Sequence, residues 1–170
     1  MVRLRDEERG VAAVEFAVLG LPFVVLTLWL FQLALVVLAS SMLQNALVEA
    51  SRQIRTGALQ SATTTPTAAS FVTLVCSNMS WLQSNCLTQL TVDVSTESQF
   101  TGATVPNPLA TGTFNSSVLA FNPGTAGQIV VVRGFYQWPL IAPVLFSGLS
   151  QTGNGVDVLI ETTTFVNEPY

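Results

Sequence analysis

Few side chains in this sequence could carry chemistry. The chain has no histidine and no lysine, 9% of its residues are charged and 49% are hydrophobic. What remains is a pair of cysteines, Cys76 and Cys86, an isolated acid, Glu15, and scattered carboxylates further along. The cysteines could form one disulfide. Glu15 lies at the start of an apolar stretch, where an ionisable side chain is costly and therefore suggests a function.

The later carboxylates are weak candidates for catalysis. Asp93, Glu97, Asp157 and Glu161 could pair as general acid and base, but each lies in or beside a strand pattern, where a solvated sheet face is the simpler interpretation. The sequence has no CxxC pair and no phosphate-binding glycine loop. We therefore predict no catalytic residue, no metal and no cofactor, and a protein that is not an enzyme. The six arginines form no basic footprint, so no nucleic-acid partner is expected.

The elements that must position these residues begin with a membrane span. Phe16 to Ala39 is 24 residues without a charge, about 36 Å long as a helix and enough to cross a hydrocarbon core of roughly 30 Å. A cleaved signal peptide, with Leu38 to Ser41 as its cut site, is the alternative, but such peptides have shorter apolar runs. Pro22 should kink or loosen the helix. An uncleaved single span is the favoured interpretation.

Two observations bear on the orientation of this span. Three arginines precede it and two follow it, Arg52 and Arg55, which favours a cytoplasmic N-terminus. Both cysteines come after the span, as expected for one disulfide in an oxidising compartment; two buried free thiols are the alternative. We therefore expect residues 57–170 to lie outside the cytoplasm.

The segment after the span continues the helix. Leu43, Leu47, Ala50 and Ile54 recur every three or four residues, and Gly57 supplies a stop. The simplest helix therefore runs from about Val11 to Thr56, with one apolar stripe on its outer part facing a folded body.

A second helical region contains both cysteines. Continuous helix would hold their Cα atoms about 15 Å apart, whereas a disulfide needs about 4.4–6.8 Å. If the bridge forms, the helix must turn back, most plausibly around Ser77 to Ser80.

Three strands are predicted further along the chain. Gln89 to Ser95, Gln128 to Tyr136 and Val156 to Val166 alternate and are rich in β-branched or aromatic residues. The stretch Thr101 to Gly127 is too irregular to assign. The predicted fold class is α+β: a long N-terminal transmembrane helix that continues into a small extracytoplasmic domain, with an antiparallel sheet packed on the helix.

One apolar segment has two interpretations. WPLIAPVLF, Trp138 to Phe146, is interrupted by two prolines, so it either covers the core as irregular chain or forms an exposed surface for a partner subunit or the membrane. Low exposure of Leu140, Ile141 and Leu145 would argue against the exposed surface.

The sequence around Glu15 resembles a known assembly signal. RGVAAVEF combines a short charged leader, Gly10, and an apolar helix whose fifth residue after Gly10 is Glu15, followed by Phe16. This pattern is similar to that of type IV pilin precursors. The wider stretch RGVAAVEFAVLGLPFVVL, then LQNALVEASRQIRTG, and the ending FVNEPY resemble the TadE-like family, whose members are minor pilins or pseudopilins of the tight-adherence (Flp) pilus.

The resemblance implies a function by assembly. A prepilin peptidase would cut between Gly10 and Val11, where a residue without a Cβ lets the chain extend into the protease. Glu15 would then pair with an N-terminal amine and set the axial register of packed subunits, with Phe16 beside it; the alternative is an interfacial acid favoured by the helix dipole. The implied organisation is a leader at 1–10, a transmembrane helix at 11–39, its extracytoplasmic extension at 40–56 and a domain at 57–170.

The resulting hypothesis is a single-pass minor pilin or pseudopilin of the inner (cytoplasmic) membrane. Its expected partners are a prepilin peptidase, other pilins or minor pilins, and the pilus assembly platform. A permanently anchored extracytoplasmic scaffold or binding module is the alternative, and a pseudopilin of a general secretion system is a closer one.

Overall fold

The structure is a computed structural model that describes residues 3–62, 65–101, 105–141, 148, 150–152 and 155–170, with the backbone alone for residues 3–9. The chain divides into two compact units, one ending at Leu35 and one running from Val36 to Tyr170. Helix α1, Arg3–Arg55, forms the described part of the first unit and the first element of the second.

Helix α1 begins earlier than the periodicity suggested. It starts at Arg3 rather than at about Val11, because residues 4–9, LRDEER, are mainly good helix formers, with acids near the N-terminal end of the helix dipole. Pro22 lies inside α1 without ending it. Arg52 and Arg55 occupy the last turn, where the helix dipole favours cations.

The cysteine-containing region folds back as the disulfide geometry required. Thr67 and Ser70 form a capping box for α2, Ala68–Ser77. The chain then turns through a short 3-10 helix that begins at Ser80, whose φ is +41°, and continues into α3, Gln83–Gln89. Cys76 and Cys86 are joined by a disulfide with their Cα atoms 5.6 Å apart. The predicted bridge and the predicted turn are both confirmed.

The three strands form one antiparallel sheet in the order β1–β2–β3. Their bounds are Leu90–Glu97 for β1, Ile129–Pro139 for β2 and Val156–Val166 for β3. Strand β3 matches the predicted range, and β2 extends three residues beyond it.

One face of the sheet packs on the outer part of α1. The apolar stripe Leu43, Leu47 and Ile54 is fully buried, as predicted. A Cβ built on Gly134 of β2 would lie 3.4 Å from Cδ1 of Leu47 and 3.5 Å from Cδ1 of Leu43. The glycine therefore lets the helix approach the sheet closely. The fold class is α+β, with the sheet on the helix as expected.

The opposite face of the sheet is covered by irregular chain between residues 105 and 122. Asp93 and Arg133, directly opposite in the β1–β2 register, lie on this face. The guanidinium of Arg133 donates to Asp93 Oδ2 at 2.7 Å and to the carbonyl oxygen of Pro106 at 2.8 Å. The amide of Ala120 donates to Asp93 Oδ1 at 2.8 Å, and the ring centroids of Phe114 and Phe135 are 5.8 Å apart.

The carboxylates on the strands are therefore less solvated than the sequence suggested. Asp93 and Asp157 are buried, so the expectation of a solvated face was wrong for both. For Asp93 the reason is the covering segment, whose irregular sequence gave no sign of where it packs.

Candidate functional site

The described part of the first unit is a helix with apolar side chains exposed on every side. Over Gly10–Arg55 its most apolar window reaches a mean hydropathy of 2.5, and 6% of that window is buried. Phe16, at 79% exposure, is one of many large apolar residues in this state, with Val14, Leu19, Phe23 and Leu26 among the others. A helix that is apolar all round needs an apolar environment. The segment is consistent with a single-pass membrane anchor.

Glu15 lies on one face of this helix with Gly10, Val11 and Val14, and these four residues border a shallow surface depression. Val11 and Glu15 are four residues apart, so they lie one above the other, about 6 Å apart along the axis. Glu15 is exposed and is the one carboxylate in the sequence between Glu8 and Glu49. Val11 is therefore one helical turn from Glu15 on the same face.

Gly10 lies within α1 and is not required there by packing. A Cβ built at this position meets no atom within 4 Å, so the helix itself would accept alanine. Glycine lowers helix stability by about 1 kcal/mol relative to alanine. The effect of Gly10 is therefore on how easily this part of the helix opens.

Phe16 is adjacent to Glu15 but about 100° further round the helix. Its ring lies beside Gly20, where a built Cβ would be 3.7 Å from the Phe16 ring, an ordinary contact. Phe16 therefore presents its ring to the surroundings of the helix rather than to Glu15.

The disulfide lies far from this segment in sequence and has the surroundings of a structural bridge. Cys76 and Cys86 are buried, and the Cys86 sulfur is 3.3 Å from the buried Met79 sulfur. The bridge ties α2 to α3 beside the sheet.

The remaining ionisable groups do not form a reactive cluster in the part of the chain that is described. No three His, Cys, Asp or Glu residues come together there as a metal site would need. Burial raises the pKa of the Asp157 carboxyl, an effect partly offset by the hydrogen bond from the Val158 backbone. Burial also raises the pKa of the Tyr136 phenol. Glu161 borders a shallow cleft beside Ser40 and Gln44 on α1.

A contact that the sequence did not predict joins the end of α1 to the segment after β3. The guanidinium of Arg55 is 2.9 Å from Glu168 Oε1, and the Glu168 amide donates to the Arg55 carbonyl at 2.8 Å. Asn167 is buried and donates to the carbonyls of Pro123 and Thr125. The Tyr170 ring lies directly against Gly57, whose φ is +73°. We call Arg55, Gly57, Glu168 and Tyr170 the helix-end clasp.

The only sequence signal for this clasp was the resemblance of both segments to one family. RQIRTG and FVNEPY were each identified in that way, but nothing in either stretch indicated that they meet. The pairing becomes visible only once β3 is placed along α1.

Together, these features define a class of protein: one apolar N-terminal helix of membrane-spanning length followed by a small α+β domain. Residues 10–52 match the family model described as TadE-like protein, which covers about a quarter of the chain. The resemblance drawn from the sequence is confirmed over that range, which contains Gly10, Val11, Glu15 and Phe16. Over this range, which lies within helix α1, the chain is similar to that family. No curated protein and no solved structure matches the chain.

Proposed function

We propose that this chain is a minor pilin or pseudopilin that takes part in assembly of a tight-adherence pilus. The observation that carries the proposal is the coincidence of three features in residues 10–52. They match the TadE-like model, their N-terminal part is an exposed apolar helix, and an isolated carboxylate, Glu15, lies at the fifth position after Gly10. In this proposal residues 1–10 are a leader, 11–39 span the inner membrane, 40–56 continue the helix outside it, and 57–170 form the extracytoplasmic domain.

The proposed first step is removal of the leader by a prepilin peptidase between Gly10 and Val11. A protease needs its substrate in extended form, whereas Gly10 is helical here. Glycine at this position reduces the free energy needed to open the turn, and it lets the backbone approach the enzyme closely.

The proposed second step is lateral packing of the apolar helices. Cleavage would leave an amine on Val11, one helical turn before Glu15 on the same face. In a medium of low dielectric constant, an unpaired carboxylate is strongly disfavoured, so a Glu15–amine pair would favour one axial register over others. The pilus subunits and the assembly platform are the partners in this step.

The leader is tested by measuring the intact mass of the protein from membranes with and without an active prepilin peptidase. We expect a chain that begins at Val11 only when the peptidase is active. A Gly10→Ala variant should be processed more slowly. Because its Cβ would touch nothing in the protein, a defect would report on opening of the turn and fit to the peptidase rather than on packing. Gly20→Ala is the matched control, since its Cβ would make only an ordinary contact with the Phe16 ring.

The register is tested with Glu15→Gln. We expect this variant to be inserted and cleaved but lost from the sheared pilus fraction. Glu49→Gln is the control, because Glu49 lies on the same helix beyond the apolar span and is solvent-exposed. Normal assembly of the Glu15 variant would contradict the proposed pairing.

Two outcomes would favour the alternatives. A chain that still begins at its first residue and does not co-purify with pili would be a permanently anchored scaffold. A cleaved chain that assembles only with components of a secretion system would be a secretion pseudopilin.

A further inference from the structure

The second unit has two ends, which the contacts along α1 distinguish. The helix enters this unit at Val36. Near that entry, Glu161 of β3 lies beside Ser40 and Gln44. Further along, Thr164 lies beside Arg55. Strand β3 therefore runs in the same direction as α1, and its first residues point toward the entry.

The residues beyond Glu161 define what we call the near end. Trp138 is opposite Asp157 in the β2–β3 register. Asp157 comes four residues before Glu161 in β3, so this pair lies roughly 13 Å beyond Glu161 in the direction of the entry. The amide of Leu140 donates to the Gly155 carbonyl at 3.2 Å, so Leu140 also lies at this end. The near end is therefore the end of the second unit at which α1 enters it.

Exposed apolar side chains are present among the described residues of the near end. Trp81 is 49% exposed and packs edge-on against Trp138, with ring centroids 6.2 Å apart. Ile141 is 67% exposed, whereas Leu140 is buried. Low exposure of Leu140, Ile141 and Leu145 was expected to argue against an exposed surface. Leu140 meets that condition, Ile141 does not, and Leu145 lies outside the described residues.

Charge is distributed unequally between the ends of the second unit. The sequence stretches 68–92 and 134–156, which contain the near-end residues Trp81, Trp138, Leu140 and Ile141, have no charged residue. The next residue, Asp157, is buried. At the other end, Glu49, Arg52, Arg55 and Glu168 are exposed. The near end therefore has uncharged polar groups and aromatic rings, the composition found at membrane–water interfaces.

We propose that the near end of the second unit rests in the headgroup region of the bilayer, with the Trp81 indole as its main contact. A tryptophan ring suits this region because it is apolar in its body and polar at its N–H. The absence of charge lowers the cost of leaving water. The inference rests on the proposed insertion of α1 as a single span, because that insertion brings Val36 to the level of the headgroups.

The test uses the full chain in vesicles of phosphatidylcholine and phosphatidylglycerol at low protein density. Lipids carrying a nitroxide near the headgroup quench tryptophans located there. Trp81 is measured as the difference between Trp29→Phe and the double variant Trp29→Phe/Trp81→Phe. Trp29, near the middle of the apolar span, is measured as the difference between Trp81→Phe and the same double variant, with lipids that carry the nitroxide near the end of the acyl chain. Its quenching by these lipids reports insertion.

A tryptophan at the other end is the matched control. The substitution Thr164→Trp is added to the double variant, because Thr164 is exposed and lies beside Arg55, away from the near end. We expect the lipids with the headgroup nitroxide to quench most of the Trp81 emission and to leave the emission of the indole introduced at position 164 unchanged. The Trp81 emission should also be shifted to the blue relative to that of the control.

Three outcomes would overturn the inference. Quenching of Trp29 without quenching of Trp81 would reject it and leave the membrane anchor intact. Protection of Trp81 that grows with protein density would identify a second copy as the occupant instead of lipid. If Trp29 is not quenched, the single span fails and this inference fails with it.

Discussion

Asp93 and Arg133 form a buried ion pair on the sheet. Their side chains are 1% and 9% exposed, and each also binds the covering segment through a backbone group, Ala120 or Pro106. Such a pair gives little net stability over an apolar pair, but removing one partner leaves a buried charge. The pair therefore fixes where the covering segment lies.

We expect Asp93→Asn to lower the free energy of unfolding by about 3–5 kcal/mol, because Arg133 keeps its charge in a buried site. Urea unfolding of the full chain in detergent, followed by tryptophan fluorescence, measures the change. Glu49→Gln is the matched control, since it breaks the exposed Glu49–Arg52 pair and should cost about 0–1 kcal/mol. Equal losses of unfolding free energy for Asp93→Asn and Glu49→Gln would contradict the expectation, because the buried pair would then matter no more than the exposed one.

Gly57 is required by two separate constraints. Its φ of +73° disfavours any side chain, and a Cβ would lie 2.2 Å from Cγ of Tyr170. Gly112 has nearly the same φ, +74°, but open space around a built Cβ. Substitutions at both glycines incur backbone strain, whereas only the one at Gly57 also brings a side chain against Tyr170. Comparing them therefore separates the cost of strain from the cost of that contact.

We expect Gly112→Ala to lower the free energy of unfolding by about 1–2 kcal/mol, the cost of the left-handed conformation. Gly57→Ala should lower it further, because the Tyr170 ring must move. Tyr170→Ala should lower the free energy of unfolding less when it is added to Gly57→Ala than when it is made in the natural chain. Urea unfolding of these variants measures the difference as a coupling energy. Equal costs at both glycines would contradict the close contact.

At the scale of elements, the disulfide holds α2 and α3 in their folded-back arrangement. The two cysteines are ten residues apart, so the bridge closes a short loop. We expect Cys76→Ser/Cys86→Ser to lower the free energy of unfolding by about 2–3 kcal/mol. Urea unfolding with and without reductant checks this: reductant should destabilise the natural chain and leave the double variant unchanged. A natural chain insensitive to full reduction would contradict the expected contribution.

Elements with a strong local pattern were predictable from the sequence. The start of β3 is marked by Gly155, whose φ is +70°, and alternation extends to Val166. The turn between α2 and α3 followed from the distance limits of a disulfide. The buried stripe of α1 was predictable because apolar residues spaced three and four apart lie on one face of a helix, and that face packs against the sheet.

Elements that depend on distant partners were not predictable. Asp93 is buried by a partner 40 residues away in sequence and by irregular chain with no periodicity. The helix-end clasp joins residues 113 positions apart. For the candidate site, Gly10 and Glu15 could be identified by type and spacing, whereas the near end required the direction of β3 along α1, which no local pattern contains.

At the scale of the whole molecule, the proposed orientation makes a direct prediction. The sequence has two cysteines. Both are joined in the disulfide, so the described residues include no free cysteine. A Thr162→Cys variant would therefore carry one reactive thiol, on an exposed position of β3. We expect it to react with a membrane-impermeant maleimide in intact spheroplasts, with the natural chain unlabelled. Labelling only after lysis would place the domain in the cytoplasm.

The helix-end clasp also has a mechanical consequence. Leu43 and Leu47 hold α1 to the sheet along its face at Gly134, and the clasp holds the last turn of α1 to the chain after β3. Tension applied along α1 is therefore shared between two attachments that must yield together, rather than one after the other. A pull on the helix loads the domain in shear, the direction in which packed faces and paired strands resist rupture best.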